Sequence, residues 1–141
     1  MGIRYTNAGQ RQNQGQRQNQ PKPGKVPATC RPARSYLIRG STVVEIKGII
    51  DLSTVVEIQA RLDAATAPRG AQVIVDLRPV EFLDCSALGL LCRTRRRALE
   101  SGGHLALVCV RPWHLRILKA AGLNELFNPL PTVRDALNRE R

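Results

Sequence analysis

Aromatic side chains are scarce in this 141-residue chain, which has one Trp, two Tyr and two Phe. Proteins that stack nucleic-acid bases interleave aromatics with basic residues, and no such pattern occurs here. Histidine is rarer still, with two copies, and the four cysteines form no Cys-x-x-Cys pair. These deficits argue against a zinc centre, and no metal or cofactor is expected. Free thiols fit a reducing compartment. Cys92 and Cys109 read as small buried apolar residues. No apolar run approaches the roughly eighteen residues of a membrane span. The N-terminus carries Arg4 and lacks the apolar core of a secretory signal. A cytoplasmic location is expected. "MGIRYT" matches the myristoylation pattern through Gly2 and Thr6, a short pattern that is common by chance.

Acidic residues are also few, 11 against 22 basic ones, so the net charge is +11. Such a charge suggests nucleic acid as a partner, but its distribution weakens that reading. Residues 1–35 hold seven Lys or Arg and no acid, whereas the remaining 106 residues carry only +4. The hexapeptide "GQRQNQ" starts at Gly9 and repeats at once from Gly15. It has no apolar residue and cannot add to a core. Pro21, Pro23, Gly24, Pro27 and Pro32 break up the next stretch. Residues 1–34 are therefore expected to be a disordered basic tail, and residues 35–141 a single domain. Deleting residues 1–30 is expected to shift the melting temperature by no more than about 1–2 °C.

Within the domain, strand and helix patterns alternate. "SYLIRG" and "TVVEIKG" are short β-type runs with β-branched Val43, Val44 and Ile46. Thr54 and Glu57 have the spacing of a capping box. Val55, Ile58, Leu62 and Ala65 then share one helical face, and Pro68 and Gly70 end the segment. "QVIVDL" reads as a buried strand of a parallel sheet, followed by a loop. "SALGLLCRTRRRALES" reads as a helix closed by Gly102 and Gly103. Its apolar arc takes Ala87, Leu88, Leu91, Cys92, Ala98 and Leu99, with Arg95 inside the arc. Arg93, Arg96, Arg97 and Glu100 lie opposite. "HLALVCV" is another buried-type strand, and Pro112 opens a helix closed by Gly122. Leu126 to Leu130 suggests a short edge strand. Thr132 caps a last helix with Asp135 in its first turn. This alternation predicts an α/β fold, a sheet with helices mainly on one face.

One stretch stands apart. In "FLDCSALGLL" the chain turns from apolar to small polar residues and back. Asp84 suits a helix N-cap, which explains Asp84 but leaves Ser86, Ala87 and Gly89 without a reason. Small residues let another surface come close. The segment "VIVDLRPVEFLDCSALGLL" resembles the Asp-Ser-Ser-Gly stretch of the STAS domain family, the bacterial anti-sigma-factor antagonists. Asp84, Cys85, Ser86 and Ala87 stand at that motif. A second family segment, Gly-Glu-Ile-Asp, is matched by Gly48, Ile49, Ile50 and Asp51, with Ile49 in place of the Glu. The resemblance covers about residues 36–138.

The resemblance implies a STAS-like domain with a mixed sheet of about four to five strands and about four helices. It implies a partner that is both an anti-sigma factor and a serine kinase. The unmodified protein would bind that kinase and free a sigma factor, and phosphorylation of Ser86 would end binding. Asp51, Asp84, Cys85, Ser86, Ala87 and Gly89 are the candidate partner-binding residues. A monomer or weak dimer is expected.

Two other function classes compete. A nucleic-acid binder would use the tail and the cluster Arg93, Arg95, Arg96 and Arg97, although a charge run is more often a solvated face. An enzyme would pair Ser86 with His104 or His114. Nothing in the spacing places either beside Ser86, and no G-x-S-x-G elbow exists. The protein is read as a non-enzyme.

Overall fold

The computed structural model describes residues 31–139, all of whose elements lie in the unit Pro32–Arg141. The repeats, the Gly2 and Thr6 pattern and Cys30 lie outside the described residues. β1 (Ala33–Ile38) and β2 (Ser41–Ile46) make a hairpin. Its two loop residues, Arg39 and Gly40, have φ of 52° and 81°. Positive φ at both positions is what a two-residue hairpin loop requires to match strand twist. β1 starts inside the stretch expected to be tail, because Ala33 is buried and the Pro32 carbonyl accepts from Lys47 N at 2.9 Å.

β4 (Gln72–Asp76) and β6 (His104–Val108) complete a sheet of order β1-β2-β4-β6. β2, β4 and β6 run parallel to one another. Parallel neighbours need long crossovers, and α1 (Val55–Thr66) and α2 (Cys85–Glu100) lie in the two connections. Side chains alternate across the sheet. Val44, Val73, Val75 and Leu107 face a main core with Ile58 and Leu62 of α1 and Ala87 and Leu91 of α2. Leu118 of α3 (Pro112–Ala120) and Phe127 of α4 (Asn124–Phe127) join that core. Val43, Ile74, Ala106 and Val108 face a smaller one, covered by Ala136 and Leu137 of α5 (Val133–Arg139). Among the described residues four helices therefore pack on one face and one on the other, within the expected mixed α/β class.

The expected loop between β4 and α2 contains a strand. β5 (Val80–Leu83) pairs in parallel with β3 (Gly48–Ile50) as a separate two-stranded sheet. The segment expected as an edge strand is instead the helical turn α4, and only Leu130 bridges to Val108. Pro129 and Pro131 flank Leu130 and supply no N–H, so the pairing cannot extend. The Thr54–Glu57 capping box does not form. The Thr54 hydroxyl instead donates to Ile49 O at 2.8 Å and accepts from Asp51 N at 3.1 Å. The Thr132 cap does form, accepting from Asp135 N and donating to Asp135 Oδ2, both at 3.0 Å. On α2 the buried arc is Ala87, Leu90, Leu91, Thr94 and Ala98, and Leu99 is exposed. Thr94 tolerates burial because its hydroxyl donates to Leu90 O at 2.8 Å.

His114 is 1% exposed, and its Nδ1 has no hydrogen-bond partner among the described residues. Burial pushes its pKa down, only partly offset by a hydrogen bond with the Glu81 backbone, and Arg111 lowers it further. The folded state thus binds the proton less readily than the unfolded chain. Stability is expected to hold above about pH 6.5 and to fall as pH drops below it. Urea titrations at pH 7.5 and pH 5.5 check this, and the difference should shrink in His114→Leu.

Candidate partner-binding site

The two-stranded sheet builds the site. Ile50 pairs with Leu83, and Asp84 N donates to Ile50 O at 3.2 Å. Ile50 and Leu83 point into the core, while their neighbours Ile49 and Phe82 are exposed and face each other in register. Each strand ends at an aspartate, Asp51 after β3 and Asp84 after β5. The pairing thus brings together two carboxylates that the sequence holds far apart.

Asp84 is the N-cap of α2, and its Oδ1 accepts from Ser86 N at 2.8 Å. The Ser86 hydroxyl donates to the same oxygen. Across the ladder, Asp51 Oδ1 accepts from Ser53 N at 2.9 Å and from the Ser53 hydroxyl at 2.6 Å. These bonds to Ser53 favour the charged carboxylate and hold the Asp51 pKa below its usual value. Asp84→Ala is expected to cost about 1 kcal/mol by loss of the cap, read as a shift in the urea midpoint.

Asp51, Asp84, Cys85 and Ser86 are gathered at one edge, with Asp51, Asp84 and Ser86 half-buried and Cys85 exposed. Gly89 is exposed one turn along α2, and a Cβ there meets nothing within 4 Å. Ala87 corrects the expectation. It is 1% exposed and packs in the main core, so its methyl does not face a partner. Sequence reasoning missed the apolar rim and Ser53. Ile49, Leu52, Val56 and Phe82 are all exposed. The repeated Asp-x-Ser spacing, Asp51 to Ser53 and Asp84 to Ser86, was the available signal for Ser53.

The arginine cluster is partly committed elsewhere. Arg93 pairs with Asp63 of α1 at 2.6 Å and Arg97 with the same carboxylate at 3.3 Å. Half of the cluster therefore ties α2 to α1 rather than forming a free basic stripe. His114 lies buried on α3 and His104 is exposed at the start of β6. Ser86 donates to Asp84, not to an imidazole. Among the described residues no group of three or more His, Cys, Asp or Glu is placed to hold a metal. Burial pushes the Cys109 thiol up to about 11, as suits a packing residue. Among the described residues no helix is long and apolar enough to cross a membrane.

A sequence model of the STAS domain matches residues 34–136, and the chain belongs to the STAS domain family. An anti-sigma F factor antagonist from Paenibacillus polymyxa is 27% identical over 101 residues, which cover 71% of this chain and 84% of that protein. The crystal structure of an anti-sigma factor antagonist from Mycobacterium paratuberculosis matches with a TM-score of 0.71 and 28% identity, covering 77% of this chain and 92% of that one. The phosphorylated form of the Bacillus cell fate determinant SpoIIAA, at 23% identity and a TM-score of 0.60, shares the fold over 77% of this chain and 99% of its own.

Proposed function

We propose that this protein is an anti-sigma-factor antagonist, a regulatory binding module and not an enzyme. It binds an anti-sigma factor that has serine kinase activity, frees a sigma factor, and is switched off by phosphorylation of Ser86. The observation that carries this reading is the placement of the Ser86 hydroxyl. It sits in the first turn of α2 on Asp84, at the edge where Asp51 ends the neighbouring strand. Exposed Ile49, Leu52 and Phe82 give a protein partner apolar surface to cover. The antagonists from Paenibacillus polymyxa and Mycobacterium paratuberculosis support the same reading.

The chemistry suits a switch. Phosphorylation adds about −1.5 to −2 charges. At the start of a sixteen-residue helix the free backbone N–H groups and the dipole tolerate that charge. The free protein therefore keeps its fold. In a complex the same charge is packed beside Asp84 and Asp51 with water removed, where like charges repel strongly. A cytoplasmic location and a monomer or weak dimer accompany this reading.

Capture from an extract of the cells that encode the protein, with and without ATP, tests it. Without ATP the bait is expected to retain an anti-sigma factor. With ATP the wild type is expected to gain phosphate at Ser86 and release it, while Ser86→Ala keeps its partner. Retention by the wild type regardless of ATP, with Ser86 unmodified, overturns the reading. A nucleic-acid binder would instead show affinity for DNA or RNA that falls steeply with salt, and little such binding is expected.

A further inference from the structure

We infer that Ser53 is a second phosphorylation site, used by the same kinase; this rests on the reading of Ser86 above. Asp51, Leu52 and Ser53 repeat the spacing of Asp84, Cys85 and Ser86. The repetition is spatial as well as linear. β3 and β5 are adjacent and parallel, with Ile50 opposite Leu83, so the two triplets leave the sheet side by side in the same direction. In each, one aspartate oxygen accepts from the serine N–H and from its hydroxyl. A kinase seated on this edge to reach one serine meets the same chemical group at the other.

Accessibility supports Ser53 independently. Ser53 is exposed, whereas Ser86 is half-buried. Leu52 and Val56, on either side of it, are 78% and 74% exposed. Apolar side chains so open offer a protein partner a hold next to the hydroxyl. Thr54 is not equivalent to Ser53, because its hydroxyl is engaged by Ile49 O and Asp51 N.

In the reaction the Ser53 oxygen attacks the γ-phosphorus of ATP supplied with the kinase. A new O–P bond forms, and the bond from the γ-phosphorus to the bridging oxygen breaks. ADP leaves, and the hydroxyl proton passes to the base of the kinase. Asp51 orients the hydroxyl. The product loses the hydroxyl donor that Asp51 held, keeps the Ser53 N–H, and sets a second negative group beside the carboxylates. Two such groups turn a binary switch into a graded one.

The test uses the full chain isolated from the cells that encode it, with phosphatases inhibited, and maps phosphate on tryptic peptides. Peptide 48–61 has Ser53 and Thr54 as its hydroxyl residues, and peptide 70–93 has Ser86 alone. Phosphate is expected on peptide 48–61 in wild type and in Ser86→Ala. It should vanish in Ser53→Ala and return in Ser53→Thr. Phosphate on peptide 70–93 with none on Ser53, whether or not Thr54 is modified, overturns this inference and leaves the Ser86 reading standing. Phosphate on neither peptide overturns both.

Discussion

Ser86→Glu is expected to weaken partner binding by roughly 30- to 150-fold, equivalent to about 2–3 kcal/mol. Ser86→Ala is expected to bind close to wild type. The glutamate puts a carboxylate beside Asp84, in a contact that loses its water on binding. The alanine removes only a hydroxyl, and Asp84 still accepts from the residue 86 N–H. Isothermal titration of each variant against the purified anti-sigma factor gives both numbers. Equal, wild-type affinities would reduce Ser86 to an ordinary helix-start residue. Both variants should melt within a few degrees of wild type, which separates binding from folding.

Gly103→Ala is expected to cost about 3 kcal/mol or more, near the upper end for overpacking. A Cβ at this position would lie 1.9 Å from Ala71 O and 2.8 Å from Ala71 C and N. Those atoms are backbone and have little room to move. His104 N donates to Ala71 O at 3.0 Å and Gly70 N to Ser101 O at 2.7 Å, so the two chain segments are already bound together. A domain of about 100 residues loses roughly 4–8 °C per kcal/mol, so the melting temperature should fall by about 12–24 °C. Gly89→Ala is the contrasting control. Its Cβ meets nothing within 4 Å and the position is helical, so stability should rise by about 0.5–1 kcal/mol. If a partner approaches closely there, the same methyl should reduce affinity while the protein itself becomes more stable.

The strands of the larger sheet were legible because β2, β4 and β6 bury residues on both faces and so carry runs of Val, Ile and Leu. α2 and α3 were legible from Asp84, Pro112 and the closing glycines. β3 and β5 were not. With three and four residues, they are too short to show a period of two, and a glycine opens β3. Their pairing depends on partners far away in sequence. Thr54 shows the same limit at one residue: its spacing to Glu57 promised a cap, but the turn after β3 used its hydroxyl first. The Asp84 cap was legible because it is local, its carboxylate accepting from the N–H two residues on. Ala87 was read both in the apolar arc and as a partner contact, and only the first holds, because a small residue reads alike whether it faces the core or a partner. Ile49 and Phe82 were missed because exposure of an apolar strand residue is set by which sheet it joins.

The two halves of the site are 33 residues apart in the chain, from Asp51 to Asp84. The β3–β5 ladder makes them neighbours. A peptide containing the Ser86 stretch alone would therefore lack Asp51, Ile49 and Leu52 on its flank. It should be a poor substrate for a kinase that accepts the whole domain. A nascent chain still emerging from the ribosome is in the same position, as is one partly unfolded. On the proposed reading, modification at this edge would certify that the domain has folded, and a damaged copy would drop out of the switch without needing to be recognised as damaged.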